Sequence, residues 1–169
     1  MPNIFEPQFE EGKRPEGFQS RRARIGYELG TELIGCSFWE IPPGQAAYPY
    51  HYHYADEELL IVVSGEPSLR TPEGTRTLAK GEAVHFPVGE EGAHQLFNDT
   101  EETVTVIAVS SSGRPDVIVY PDGEKIGVGE RLPSGGGLRL FFKREDAVTG
   151  VAGYFEREQF PPPSDSDDR

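Results

Sequence analysis

The stretch GQAAYPYHYHYADEELLIVVSG, residues 44–65, decides how the chain is read. It places His51 and His53 two apart, a carboxylate at Glu58, and an apolar run, LLIVV, directly behind. On a β-strand, side chains at i and i+2 leave the same face, so the two imidazoles stand side by side. The four residues before Glu58 let the chain bend and return a carboxylate from the next strand. A third histidine, His94, lies 36 residues beyond Glu58 in GEAVHFPVGEEGAHQLFN, residues 81–98. Three imidazoles and one carboxylate suit a divalent transition metal.

The spacing G-x6-H-x-H-x4-E-x6-G from Gly44 to Gly65 is followed, after fifteen residues, by G-x5-P-x-G-x4-H-x3-N from Gly81 to Asn98. Together these resemble the paired motifs of the cupin superfamily across roughly residues 34–110. The resemblance implies an all-β fold, a small antiparallel double-stranded β-helix (jelly-roll) barrel. It also implies that His51, His53, Glu58 and His94 share one metal ion. Two departures stand out: six residues separate Gly44 from His51 where the family usually has five, and four separate Gly89 from His94 where it has two. Both insertions fall in expected turns, so they alter the barrel mouth more than the ligand set. Glu57 is the rival carboxylate, and the six residues between Glu58 and Gly65 favour Glu58. His85 lies outside the pattern and reads as structural or rim-facing. Residues 115–128, PDVIVYPDGEKIGV, resemble a segment that follows the barrel in mostly uncharacterised bacterial cupins, which brings little function with it.

A chain of 169 residues with 36% hydrophobic residues, 20 Gly and 15 Pro suggests one turn-rich domain of short strands. Lys and Arg total 16 against 29 Asp and Glu, and a net charge of -13 makes nucleic acid an unfavourable partner. A single cysteine, Cys36, fits a reducing compartment. The first residues have no apolar core of signal-peptide length, and the longest aliphatic run is too short to span a bilayer. A cytoplasmic protein without membrane contact is the expectation.

Residues 1–23 read as an extended arm anchored by Phe5, Phe9 and Phe18. Residues 24–160 read as one barrel domain with its core motifs in 34–110 and a C-terminal extension, and the acidic, proline-rich residues 161–169 as a disordered tail. Strands are expected at 24–29, 33–41, 50–54, 56–64, 68–71, 75–78, 83–86, 93–98, 103–110, 117–120 and 138–142. Gly123 to Gly137 suggests loops, and residues 143–148 a helical turn. The aromatic arm and the strands after the barrel need a surface to cover Phe5, Phe9, Phe18, Leu140 and Phe142. A two-fold homodimer in which the arm crosses to the partner's sheet supplies one, and an arm lying on its own barrel is the competing disposition.

A divalent ion on three neutral imidazoles and a carboxylate retains about one positive charge and favours an anionic or oxygen-rich ligand. The resemblance implies isomerases, decarboxylases and dioxygenases. A metal-dependent enzyme acting on a sugar phosphate, keto acid or enediol is the first hypothesis, of sugar-phosphate isomerase or dioxygenase type. The ligand set alone does not separate Zn, Fe, Mn and Ni. No basic cluster near the motifs marks a phosphate site, and Arg70 and Arg76 are candidates only. The alternatives are a non-catalytic metal or metabolite binder, possible because fold does not fix function, and a vestigial site, which intact ligand residues disfavour.

Overall fold

The computed structural model describes residues 1–10, 14–113, 115–130 and 137–146. The expected disordered tail, residues 161–169, and the end of the expected helical turn at 147–148 lie outside these. The chain is built from antiparallel strands: β1 (Arg21–Ala23), β2 (Ile34–Ile41), β3 (Tyr52–His53), β4 (Glu58–Ser64), β5 (Ser68–Thr71), β6 (Gly74–Thr77), β7 (Ala83–Phe86), β8 (Gln95–Phe97), β9 (Val104–Ser111), β10 (Asp116–Tyr120), β11 (Lys125–Gly129) and β12 (Arg139–Lys143). They form a five-stranded sheet in the order β1-β2-β9-β4-β7, a four-stranded sheet β12-β11-β10-β3 and a three-stranded sheet β6-β5-β8.

Alternation within the strands explains the core. Trp39 and Ile41 of β2, Leu60 and Val62 of β4, and Val104 and Val106 of β9 all point inward from the five-stranded sheet. They meet Leu69 and Leu96 from the three-stranded sheet, and all of these side chains are buried. Fully burying each such side chain contributes on the order of 1.5–3 kcal/mol. The motif glycines and asparagine close the turns around this core. Gly44 has φ 72° and its N–H bonds the Asn98 carbonyl at 2.8 Å. The Asn98 amide in turn donates to the carbonyls of Ile41 and Glu102 at 2.8 and 2.7 Å, which locks the turn that feeds β9.

Three expectations are corrected. Residues 24–29 do not form a strand: Ile25–Leu29 is a short α-helix, α1, in which Ile25 and Gly26 are buried while Tyr27 and Leu29 are exposed. The apparent alternation is broken because Gly30, at φ 70°, caps the helix and its N–H bonds the helix carbonyls. A Cβ on Gly26 would lie 2.9 Å from the Cys36 backbone nitrogen, a close approach that no larger residue allows. The glycine-bearing residues 125–129, expected as loop, form β11 between β10 and β12, with Ile126 packing toward Tyr50 and Tyr52. The polypeptide beyond Ser110 is also more than an appendage, since β10 pairs with β3 and sets Ile118 opposite His53.

β1 pairs with β2 of the same chain, and Phe9 packs against Phe38 at a centroid distance of 6.5 Å on the outer face of the five-stranded sheet. The Arg21 guanidinium lies over the Phe9 ring at 4.1 Å. Phe5 remains 82% exposed.

Candidate metal centre

The four candidate ligands are assembled by strand pairing. His51 and His94 exchange both backbone hydrogen bonds, at 3.1 and 2.9 Å, so they form a directly opposed antiparallel pair whose side chains emerge together. His53, two residues on, shares the face of His51, and the intervening Tyr52 turns outward into a buried cluster with Tyr50 and Val119. Glu58 opens β4 on the facing sheet and reaches across. Its Oε2 lies 3.3 Å from His94 Nε2 and 3.6 Å from His53 Nε2. One ligand atom from each of His51, His53 and Glu58 lies within 4.8 Å of the others.

Each imidazole is oriented through its other nitrogen. Nδ1 of His51 meets the Pro49 carbonyl at 2.8 Å, Nδ1 of His94 the Gly92 carbonyl at 2.9 Å, and Nδ1 of His53 the Asp116 carboxylate at 2.5 Å. Carbonyl and carboxylate oxygens only accept, so in each case Nδ1 carries a proton, and in the neutral ring Nε2 presents a lone pair to the centre. Burial lowers the His94 pKa and keeps the ring neutral. His53 Nε2 is buried with no hydrogen-bond partner, an arrangement that costs desolvation energy unless something occupies the space between it and Glu58. A divalent cation fits that requirement: the donors are neutral imidazoles and a carboxylate, with hydrogen bonds behind them of the kind that orient metal ligands.

The ligands line one cavity of about 170 Å³. Phe86 stacks on His94 with ring centroids 3.7 Å apart, Tyr120 stacks on His51 at 5.8 Å, and Tyr48 stands edge-on to both histidines. Burial first, then the neighbouring Glu58, pushes the Tyr48 phenol well above its usual range, so it stays protonated inside the cavity. Arg22, Ser37 and Ser110 supply further polar lining.

The structure brings together the four residues singled out by spacing and sets the others apart. His85 pairs with Glu57 at 2.7 Å, and both side chains are more than half exposed. Arg70 and Arg76 pair with Asp122 and Glu82 at the surface. Sequence reasoning missed Arg22, hidden in what read as the arm, and Asp116 and Tyr120, which follow the second motif. Their signals were faint: a lone acid opening the apolar stretch DVIVY, and one arginine among three in RRAR.

Antiparallel sheets folded around a histidine-lined cavity place the molecule among double-stranded β-helix proteins. Residues 37–110 match the family described as Cupin domain. A structure from Acidithiobacillus ferrooxidans, provisionally named a sugar phosphate isomerase, is 26% identical with a TM-score of 0.70, covering 79% of this chain and 81% of that one. A sugar phosphate isomerase of the cupin superfamily from Silicibacter pomeroyi is 20% identical with a TM-score of 0.74, covering 89% and 97%. A polyketide cyclase from Streptomyces resistomycificus shares the fold at 21% identity and a TM-score of 0.55, covering 66% and 78%. No curated protein matches the sequence significantly. Among the described residues, no helix is long and apolar enough to cross a membrane.

Proposed function

We propose that the protein is a metal-dependent enzyme of the sugar-phosphate isomerase type, acting on a small oxygen-rich metabolite with one divalent transition metal ion per chain. The observation that carries this reading is the orphaned, buried Nε2 of His53, set beside Glu58 and flanked by His51 and His94, whose Nδ1 atoms are committed to carbonyls. These four residues would hold the ion, and Zn, Fe, Mn or Ni suits such a nitrogen and oxygen set. When bound, the ion supplies a Lewis acid that polarises a substrate carbonyl. The residues around it do the rest: Tyr48 holds a proton within the cavity, while Phe86, Trp39 and Tyr120 restrict water. The name carried by the Acidithiobacillus ferrooxidans structure supports isomerisation over dioxygenation, for which no separate observation speaks.

The same reading takes the protein to be a cytoplasmic homodimer. A lone cysteine suits a reducing compartment. The edge strand β12 leaves Leu140 and Phe142 47% and 39% exposed, and Phe5 is bare on the arm, so an apolar surface awaits cover. Incubation of the metal-loaded protein with aldose and ketose phosphates, followed by NMR, tests the activity. Interconversion that stops on chelation and in Glu58→Gln is expected. A fully loaded protein that turns over none of them would leave metal or metabolite binding without catalysis as the function.

A further inference from the structure

Arg22 is the only lysine or arginine among the described residues that lines the metal cavity, and Glu58 the only carboxylate. It enters from the middle of β1, the strand that the arm adds to the five-stranded sheet. Ser37 and Trp39 are among the residues that hold its side chain. Nε donates to Ser37 Oγ at 2.9 Å, and the guanidinium lies 5.1 Å from the centre of the Trp39 ring. A guanidinium held this way loses little freedom on meeting an anion, and its planar fork matches a carboxylate or phosphate.

A second cavity of about 160 Å³ adjoins the first, and the two share Arg22, Ile118 and Tyr120 as lining. Arg139, at the start of β12, adds a second guanidinium there. Among the described residues, the carboxylates lining this second cavity are Glu130 and Asp116, and Asp116 is engaged by His53 Nδ1 and by the Ala55 amide. The paired cavities therefore run from the three histidines and Glu58 at one end to Arg139 at the other, with Arg22 on the shared wall.

We propose that Arg22 forms a subsite for the anionic end of the substrate, a carboxylate or phosphate, with Arg139 extending it outward. The remaining substrate oxygens then face His51, His53, Glu58 and His94. The position of those oxygens rests on the metal-centre reading; capture of the anion by Arg22 does not. The ligand class is a short hydroxy-carbonyl compound with a negative group at one end.

Trp39, the chain's one tryptophan, lines the inner cavity, so its fluorescence reports binding there. Three probes share a hydroxymethyl ketone: dihydroxyacetone, which is neutral, hydroxypyruvate, a carboxylate, and dihydroxyacetone phosphate. The metal-loaded protein should bind at least one anionic probe about tenfold more tightly than dihydroxyacetone, the scale of a charge-assisted hydrogen bond. Whichever anion is preferred identifies the group. Arg22→Gln should abolish most of that preference and leave dihydroxyacetone affinity unchanged, and Arg22→Lys, which keeps the charge and loses the fork, should fall between. Equal affinity for the three probes overturns the subsite, as does no fluorescence change with any of them or a preference that survives in both variants. Repeating the titrations after chelation separates the two readings. Preference lost with Arg22 but indifferent to chelation sinks the metal centre and keeps the subsite, whereas affinity lost on chelation but indifferent to Arg22 does the reverse.

Discussion

His53 Nδ1 lies 2.5 Å from Asp116 Oδ2, joining the strand of the first motif to a strand 63 residues further along. Asp116 is 2% exposed and accepts a second hydrogen bond from the Ala55 amide at 3.2 Å. The pair fixes the His53 tautomer, with Nδ1 turned to Asp116 and Nε2 to the centre. Asp116→Asn keeps the shape and removes the charge, and should weaken metal affinity by about 10- to 100-fold in a folded protein. Competition against a fluorescent chelator measures this. Affinity equal to that of the original chain would show that Asp116 has no part in the centre.

Gly92 illustrates how backbone shape serves the same centre. Its carbonyl accepts from His94 Nδ1, and a Cβ at this position would lie 1.8 Å from the Pro87 carbonyl oxygen. Gly92→Ala must displace the 3-10 turn Glu90–Gly92, so a stability loss of about 1–3 kcal/mol is expected, with weaker metal binding alongside. Urea unfolding with unchanged midpoint would contradict the packing described.

Away from the cavity, Arg70 grips Asp122 through both guanidinium nitrogens at 2.6 and 2.9 Å and lies 4.0 Å from the Tyr50 ring centre. The Arg70 hydrogen bonds hold the Asp122 carboxyl below its usual range. A depressed carboxyl pKa means the unfolded chain takes up protons first on acidification. The pair's contribution is therefore present above about pH 3.9 and disappears as pH falls through the lower, folded value. Both side chains are more than a third exposed, so solvent screening keeps the contribution below about 1 kcal/mol. Asp122→Asn should be slightly destabilised at neutral pH, and its gap to the original chain should close as pH falls through the lowered Asp122 value. A gap that widens toward acid would reverse the assignment.

For assembly, Leu140→Glu combined with Phe142→Glu should release monomers while metal content is retained, because both residues share one face of β12 and neither lines the cavities. Light scattering on the unaltered protein should give about twice the chain mass. A value near 18.7 kDa, the single chain, would contradict the dimer.

The motif-bearing part of this fold was legible in the sequence, and the reasons are local. Alternation with a buried face marks β2, β4 and β9, and turn glycines at Gly65, Gly81 and Gly89 punctuate them. His51, His53, Glu58 and His94 were visible because strand periodicity sets two of them side by side and motif spacing supplies the others. What escaped notice depends on pairing between distant segments. Ile25, Tyr27 and Leu29 alternate like a strand, yet Gly26 must sit against the Cys36 backbone and Gly30 turns the chain, which favours one helical turn. Nothing near Asp116 in sequence announces His53 as its partner, and Arg22 reaches the cavity only because β1 aligns with β2, setting Arg22 opposite Trp39.

The central claim is that three imidazoles and Glu58 bind one divalent ion, and elemental analysis of purified protein tests it most directly. About one transition metal ion per chain is expected in the original protein and in His85→Ala, whose imidazole pairs with Glu57 at the surface. Occupancy should collapse in His51→Ala, His53→Ala and His94→Ala, and should fall for the original protein in acid, where ligand imidazoles take up protons. A metal-free original chain after purification without chelators and incubation with Zn, Fe, Mn or Ni salts, or full occupancy in the three histidine variants, would contradict the account.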